Sequence, residues 1–235
     1  MQVMRAVLFD YGWTLVSFTY PSTALLGAME QARPWLGPNP PPAGWILDHV
    51  LLPLERGLTQ MEEAGQDYMD YYRAAWRRAG FSPSDDVLWR IMDLEQSVWD
   101  RSVVVAEDAL SVLEQLRARG LRLAIASNAP FPPRLLHRQL RLNGFSERVD
   151  VAVFSGEIGQ RKPAAGFFEA VLDRVGVAAE ESLYVGDRFQ EDYEGPTRVG
   201  LRALLCTQLA SELPPPGIPS IAHLADLPAA LESWP

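Results

Sequence analysis

RAVLFDYGWTLV, residues 5–16, is the stretch on which the fold turns. Ala6, Val7, Leu8 and Phe9 form an apolar run that stops at a single acid, Asp10. A short apolar run of this kind suits a strand buried on both faces of a parallel sheet. Ligands of such sheets bind beyond the carboxyl ends of the strands, where Asp10 would stand. Gly12 lets the backbone turn sharply just after it. Taken alone, the same residues also describe an ordinary strand followed by a polar turn.

Three later stretches repeat the design. LRLAIASN, residues 121–128, is a second apolar run that ends at Ser127 and Asn128. GQRKPAAGFF, residues 159–168, carries Lys162 before a proline. SLYVGDRFQED, residues 182–192, is a third apolar run that ends at Asp187, with Asp192 five residues on. Lys162 is the only lysine of the chain, and every other basic residue among the 21 is arginine. A drifting surface lysine would have gone to arginine with the rest, whereas a site needing a compact ammonium on a flexible stem would not.

Composition narrows the partners. A chain of 235 residues fits one large domain, or a core with an insertion, and 48% hydrophobic residues can fill a sizeable core. A net charge of −9 argues against a nucleic-acid surface. No run approaches the length of a membrane span, so no membrane partner is expected. The first strand begins too early to leave room for a signal peptide. The single cysteine, Cys206, rules out an internal disulfide and fits a reducing cytoplasm, and its place at the end of an apolar run reads as a small core residue. Nothing in the pattern sets an oligomeric state.

After Thr14 the strand pattern lapses until about Val103. In between, helices are predicted over residues 21–29, 45–56, 59–79 and 84–99, separated by the proline-rich loop 34–42. Thr59 and Glu62 carry a capping-box signature, and Ser84 can cap the last of these helices. From Ala106 strands and helices alternate, with Gly120, Gly144, Gly176 and Gly200 closing successive helices. Such alternation is the mark of βαβ units and a parallel sheet.

In order and placement, the four stretches resemble the motifs of the haloacid dehalogenase-like (HAD) hydrolase superfamily, of its capped subfamily I type. The resemblance covers nearly the whole chain. It implies an α/β fold: a Rossmann-like parallel-sheet core, residues 1–16 and 103–235, with a helical cap, residues 17–102, inserted after the first motif. It implies a hydrolase, with a phosphatase acting on a small phosphorylated metabolite as the leading activity. Asp10 would be the nucleophile that forms an aspartyl-phosphate, and Lys162 would stabilise its transition state. Ser127, Asn128 and Lys162 would hold the phosphoryl group. Asp10, the backbone carbonyl of Gly12, Asp187 and Asp192 would hold Mg²⁺, a hard ion that takes oxygen ligands. Each residue also has an ordinary reading: Ser127 as a helix N-cap, Asp192 as a helix N-terminal acid with Glu191 as its neighbour, Lys162 as a surface lysine.

One position departs from the family pattern. Phosphatases of this superfamily carry a second Asp two residues after the nucleophile, and here that position is Gly12. The missing carboxyl would protonate the leaving oxygen and then activate water. The departure leaves open a phosphatase for good leaving groups, one in which a cap side chain supplies the proton, and a catalytically degenerate binder of phosphorylated ligands or regulatory protein. Phosphonate-cleaving relatives use a cap lysine, which this chain lacks. Haloacid dehalogenases carry a Tyr-Gly pair after the nucleophile, one position later than Tyr11 and Gly12. They need no metal and generally lack the acid found here as Asp187, so dehalogenase chemistry ranks lower.

Overall fold

The computed structural model describes residues 4–232. Its strands are β1 (Ala6–Phe9), β2 (Val16–Phe18), β3 (Val103–Val105), β4 (Arg122–Ser127), β5 (Val151–Phe154), β6 (Ser182–Gly186), β7 (Arg202–Cys206) and β8 (Ser220–Ile221). Six of these form one parallel sheet in the order β5-β4-β1-β6-β7-β8. The architecture is the expected α/β, Rossmann-like core. β1 lies at its centre and alternates sides as a strand must. Val7 and Phe9 pack with helices Ala109–Ala118 and Pro133–Leu142 on one face. Ala6 and Leu8 pack with Ala165–Val175 on the other. All four residues are fully buried. This placement brings the ends of β1, β4 and β6, and hence Asp10, Ser127 and Asp187, to one edge.

The chain leaves and re-enters the core through a two-stranded antiparallel ribbon. Val16 pairs with Val105 and Phe18 with Val103. β2 was not foreseen, and of the expected division points 16/17 falls inside β2 while 102/103 falls where β3 begins. Three residues carry too short an alternation to read as a strand, and their partner lies far along the chain. Between the two strands the chain is helical, with a hydrophobic cluster of its own that includes Ile46, Tyr72, Trp76 and Ile91. Leu135 of the core helix Pro133–Leu142 joins that cluster. Arg138 Nε adds a bond to Asp100 Oδ2 at 2.9 Å.

One helix boundary differs from expectation. A single helix over 59–79 was predicted from the Thr59/Glu62 signature. The chain instead forms Leu58–Glu63 with Gly57 in the N-cap place and no side-chain cap, then Tyr68–Arg78. Glu62 turns away to accept from Ser155 Oγ and lies 3.4 Å from Arg161 Nε, so the core competes successfully for its carboxylate. Gly65, at φ 63°, breaks the chain between the helices. The cap of the second helix is Asp67, whose Oδ1 accepts from Asp70 N–H at 3.0 Å.

The two candidate caps are therefore separable by stability. Asp67→Ala is expected to lower the unfolding free energy by about 1 kcal/mol in urea titration. Thr59→Ala should stay within about 0.5 kcal/mol of wild type, as an ordinary surface change does.

Candidate active site

Every residue singled out from the sequence meets at the carboxyl edge of the sheet. A cavity of ≈ 250 Å³ is lined by Asp10, Gly12, Ser127, Asn128 and Lys162, together with Trp13, Phe18, Arg188 and Glu191. Asp187 and Asp192 stand beside it, and one carboxylate oxygen each from Asp10, Asp187 and Asp192 lie within 4.8 Å of one another.

Lys162 is no surface lysine, being only 2% exposed. Its Nζ donates to Asp192 Oδ1 at 2.6 Å and to Tyr184 Oη at 2.8 Å. It also lies 3.0 Å from Asp10 Oδ1, an ion-pair contact off the hydrogen-bonding direction. Burial works against the ammonium, but Asp10 and Asp192 outweigh it and hold its pKa well above the ordinary value. The backbone of Lys162 is fixed as well. Its N–H donates to Asn128 Oδ1 at 2.8 Å, and Asn128 Nδ2 donates back to its carbonyl at 3.1 Å. Asn128 therefore spends its amide on positioning Lys162. Ser127 Oγ makes no hydrogen bond among the described residues, and Ser127 lines the cavity.

Asp192 is fully buried, and both its oxygens are engaged. Oδ1 accepts a hydrogen bond from Lys162 Nζ, and Oδ2 accepts from the backbone N–H groups of Asp187 and Arg188 at 3.0 and 2.9 Å. Gly186 makes room for it: a Cβ there would come 2.3 Å from Asp192 Cγ. The glycine at the end of β6 is thus a packing requirement of the acid six residues later. Asp187 has no such set of donors, and Thr14 Oγ1 approaches its Oδ1 only at 3.5 Å. Burial, with the charges of Asp10 and Asp192, pushes Asp187 up to about 7. Asp10, Asp187 and Asp192 cluster against the Lys162 ammonium, and the nearby Arg188 guanidinium is shared with Glu191, so negative charge remains in excess. That surplus, with the orphaned Asp10 Oδ1, fits a divalent cation with oxygen ligands.

The turn after Asp10 differs from its sequence reading. Among the described residues the one non-glycine with positive φ is Trp13, at 61°, while Gly12 needs no left-handed conformation. Gly12 instead leaves space. A Cβ there would meet Phe18 Cζ at 3.4 Å, so an aromatic ring borders the place of the absent acid. Phe18 in turn contacts Trp13 and Trp99, with ring centroids 5.4 and 6.2 Å away. Neither Tyr184 nor Phe18 was singled out beforehand. Both are apolar-pattern positions whose roles depend on what the fold sets beside them.

Removing Lys162 should expose the imbalance. Lys162→Met, at pH 8 with chelator, is expected to lower the unfolding free energy by about 3–5 kcal/mol, the cost of breaking a buried pair. Asp187, with its pKa raised to about 7, is protonated at pH 5, so the loss should shrink there. Urea titrations at the two pH values measure the difference.

A family model for haloacid dehalogenase-like hydrolases matches residues 4–200. The chain is similar to a ribulose-1,5-bisphosphate 5-phosphatase of Halopiger xanaduensis, 28% identical over 212 residues, covering 85% of this chain and 83% of the relative. It is also similar to a glyceraldehyde 3-phosphate phosphatase of Methanopyrus kandleri, 29% identical over 200 residues, covering 85% and 82%. In fold it is similar to a 2-haloacid dehalogenase from Pseudomonas syringae pv. Tomato DC3000, with a TM-score of 0.73 at 22% identity over 99% of this chain and 100% of that one. The family model spans well over half of a chain whose site brings all four motif stretches together, and the chain belongs to the haloacid dehalogenase-like hydrolase family.

Proposed function

We propose that the chain is a Mg²⁺-dependent phosphatase for a small phosphorylated metabolite, working through an aspartyl-phosphate on Asp10. The observation that carries this reading is the buried ammonium of Lys162 held against Asp10 in a cavity that also presents Ser127 Oγ. The phosphatase names of relatives that cover most of the chain support it. Helices between the two ribbon strands act as a cap that closes the site against water. The free, buried Cys206 suits a cytoplasmic setting.

In this reading the Asp10 carboxylate attacks phosphorus, and the bond to the leaving oxygen breaks. Ser127 Oγ and Lys162 Nζ hold the phosphoryl oxygens, with Lys162 stabilising the charge that develops on them. Asn128 acts by fixing Lys162. Asp10, Asp187, Asp192 and the Gly12 carbonyl would hold Mg²⁺, with Asp192 also supporting the set through Lys162 and the backbone turn at residues 187–188. When bound, the ion offsets repulsion between the carboxylate and an anionic substrate. Gly12 favours a second reading, a phosphoryl-ligand binder without turnover. The three-acid cluster ranks dehalogenase chemistry below both.

Phosphate release from acyl, aryl and alkyl phosphates decides among them. Release that requires Mg²⁺, stops with chelator and falls to background in Asp10→Asn is the expected result. Asp192→Asn should lower the rate about 10–100-fold, as loss of a supporting partner does. Folded protein that binds Mg²⁺ but releases phosphate from none of them would leave the binder in the lead.

A further inference from the structure

We propose that Glu55 is the acid–base residue of this site, giving a proton to the leaving oxygen and later taking one from water. It would replace the carboxyl absent at position 12, and the inference rests on the phosphatase reading above. Glu55 lies in the last turn of the helical stretch 43–56, which Gly57 ends. With Gly12, Ser127 and Asn128 it lines a second cavity, of ≈ 170 Å³. Gly12, Phe18, Ser127 and Asn128 also line the cavity that holds Asp10 and Lys162. The two cavities thus share the wall where a side chain at position 12 would stand.

Within its cavity Glu55 is the only carboxyl, and much of the remaining wall is apolar, including Trp99, Phe131 and Leu136. Its side chain makes no hydrogen bond or ion pair among the described residues, and the residue is half-buried, so its carboxyl is held in the cavity yet free to exchange a proton. Two features favour its neutral form. The helix C-terminus disfavours an anion. The largely apolar lining gives little solvation. Glu95 feels the Glu55 charge in turn, and its Oε1 accepts from Tyr72 Oη at 2.5 Å. Tyr20 and Tyr68 also feel the Glu55 charge, and Asp48 acts on Tyr20; none of these supplies a positive charge. Burial pushes Glu55 up to about 7 and Glu95 up to about 8, so near neutral pH Glu55 can both give and take a proton.

The steps balance. In the first, an Asp10 oxygen bonds to phosphorus as the bond to the leaving oxygen breaks. The Glu55 proton passes to that oxygen, releasing an alcohol and leaving Glu55 ionised. In the second, water attacks the phosphorus of the aspartyl-phosphate as its bond to the Asp10 oxygen breaks, the electron pair returning to the carboxylate, while Glu55 takes a water proton. Inorganic phosphate leaves, and Asp10 and protonated Glu55 are restored.

Leaving-group dependence tests this. Wild type, Glu55→Gln and Glu55→Leu are compared on propyl phosphate and 4-nitrophenyl phosphate with Mg²⁺. Thermal unfolding checks that each variant is folded, and leucine suits the apolar lining if glutamine does not. Both variants should lose ~10²–10⁴-fold on propyl phosphate, whose alkoxide needs a proton. With 4-nitrophenyl phosphate, whose leaving group needs none, the first turnover should persist as a burst of nitrophenolate. Slow hydrolysis of trapped phosphoenzyme should follow. Equal losses in the first turnover of both substrates, or a rise in KM alone, would overturn the role of Glu55. Absence of Asp10-dependent release in wild type would instead overturn the phosphatase reading, and this inference with it.

Discussion

The buried ammonium of Lys162 is the contact on which the edge of the sheet depends. It meets Asp10 from the end of β1, Tyr184 from β6 and Asp192 from the turn beyond β6. Its backbone is locked to Asn128, just past the end of β4. A charge with so little access to water is tolerable only when its partners are fixed around it. The partners come from three adjacent strands, so the pairing also sets how those strand ends stand relative to one another. Tyr184 extends the network by donating to the Ala126 carbonyl at 2.5 Å. Folding and the proposed chemistry thus draw on the same interaction.

Much of this was legible because it is written in local terms. An apolar run ending in one acid needs no distant information to read, and helix Ala165–Val175 begins and ends where the pattern placed it. The lone lysine in an arginine-rich chain marked itself by composition. What escaped was decided by distant neighbours. β2 exists through its pairing with β3. Glu62 had a helix cap within reach, but Ser155 and Arg161 claim it. Gly12 read as a turn residue, yet the left-handed position is Trp13 and the glycine leaves room beside Phe18. Asp192 was legible as a member of the site, but not the division of its two oxygens between an ammonium and a backbone turn. Glu55 sits in an amphipathic helix, and no periodicity tells which of its acids will be enclosed.

The structure encloses acids in two different surroundings. In the core, Asp192 is fully buried against the Lys162 ammonium, and burial still raises its pKa. Among the helices beyond the ribbon, Glu55 and Glu95 have no cation beside them among the described residues, and burial pushes them up to about 7 and about 8. The same side-chain chemistry thus sits in two electrostatic settings, one with a fixed cation and one without.

The ribbon of β2 and β3 has a consequence for how the chain can vary. Seen from the sheet, everything between Phe18 and Val103 departs and returns through one pair of adjoining strands, as the tip of a hairpin would. That tip could be lengthened, shortened or replaced without shifting the register of β1, β4 or β6, whose ends carry Asp10, Ser127 and Asp187. What covers the sheet edge and what stands on it are in this sense separate pieces. The two are joined by three residues on each side.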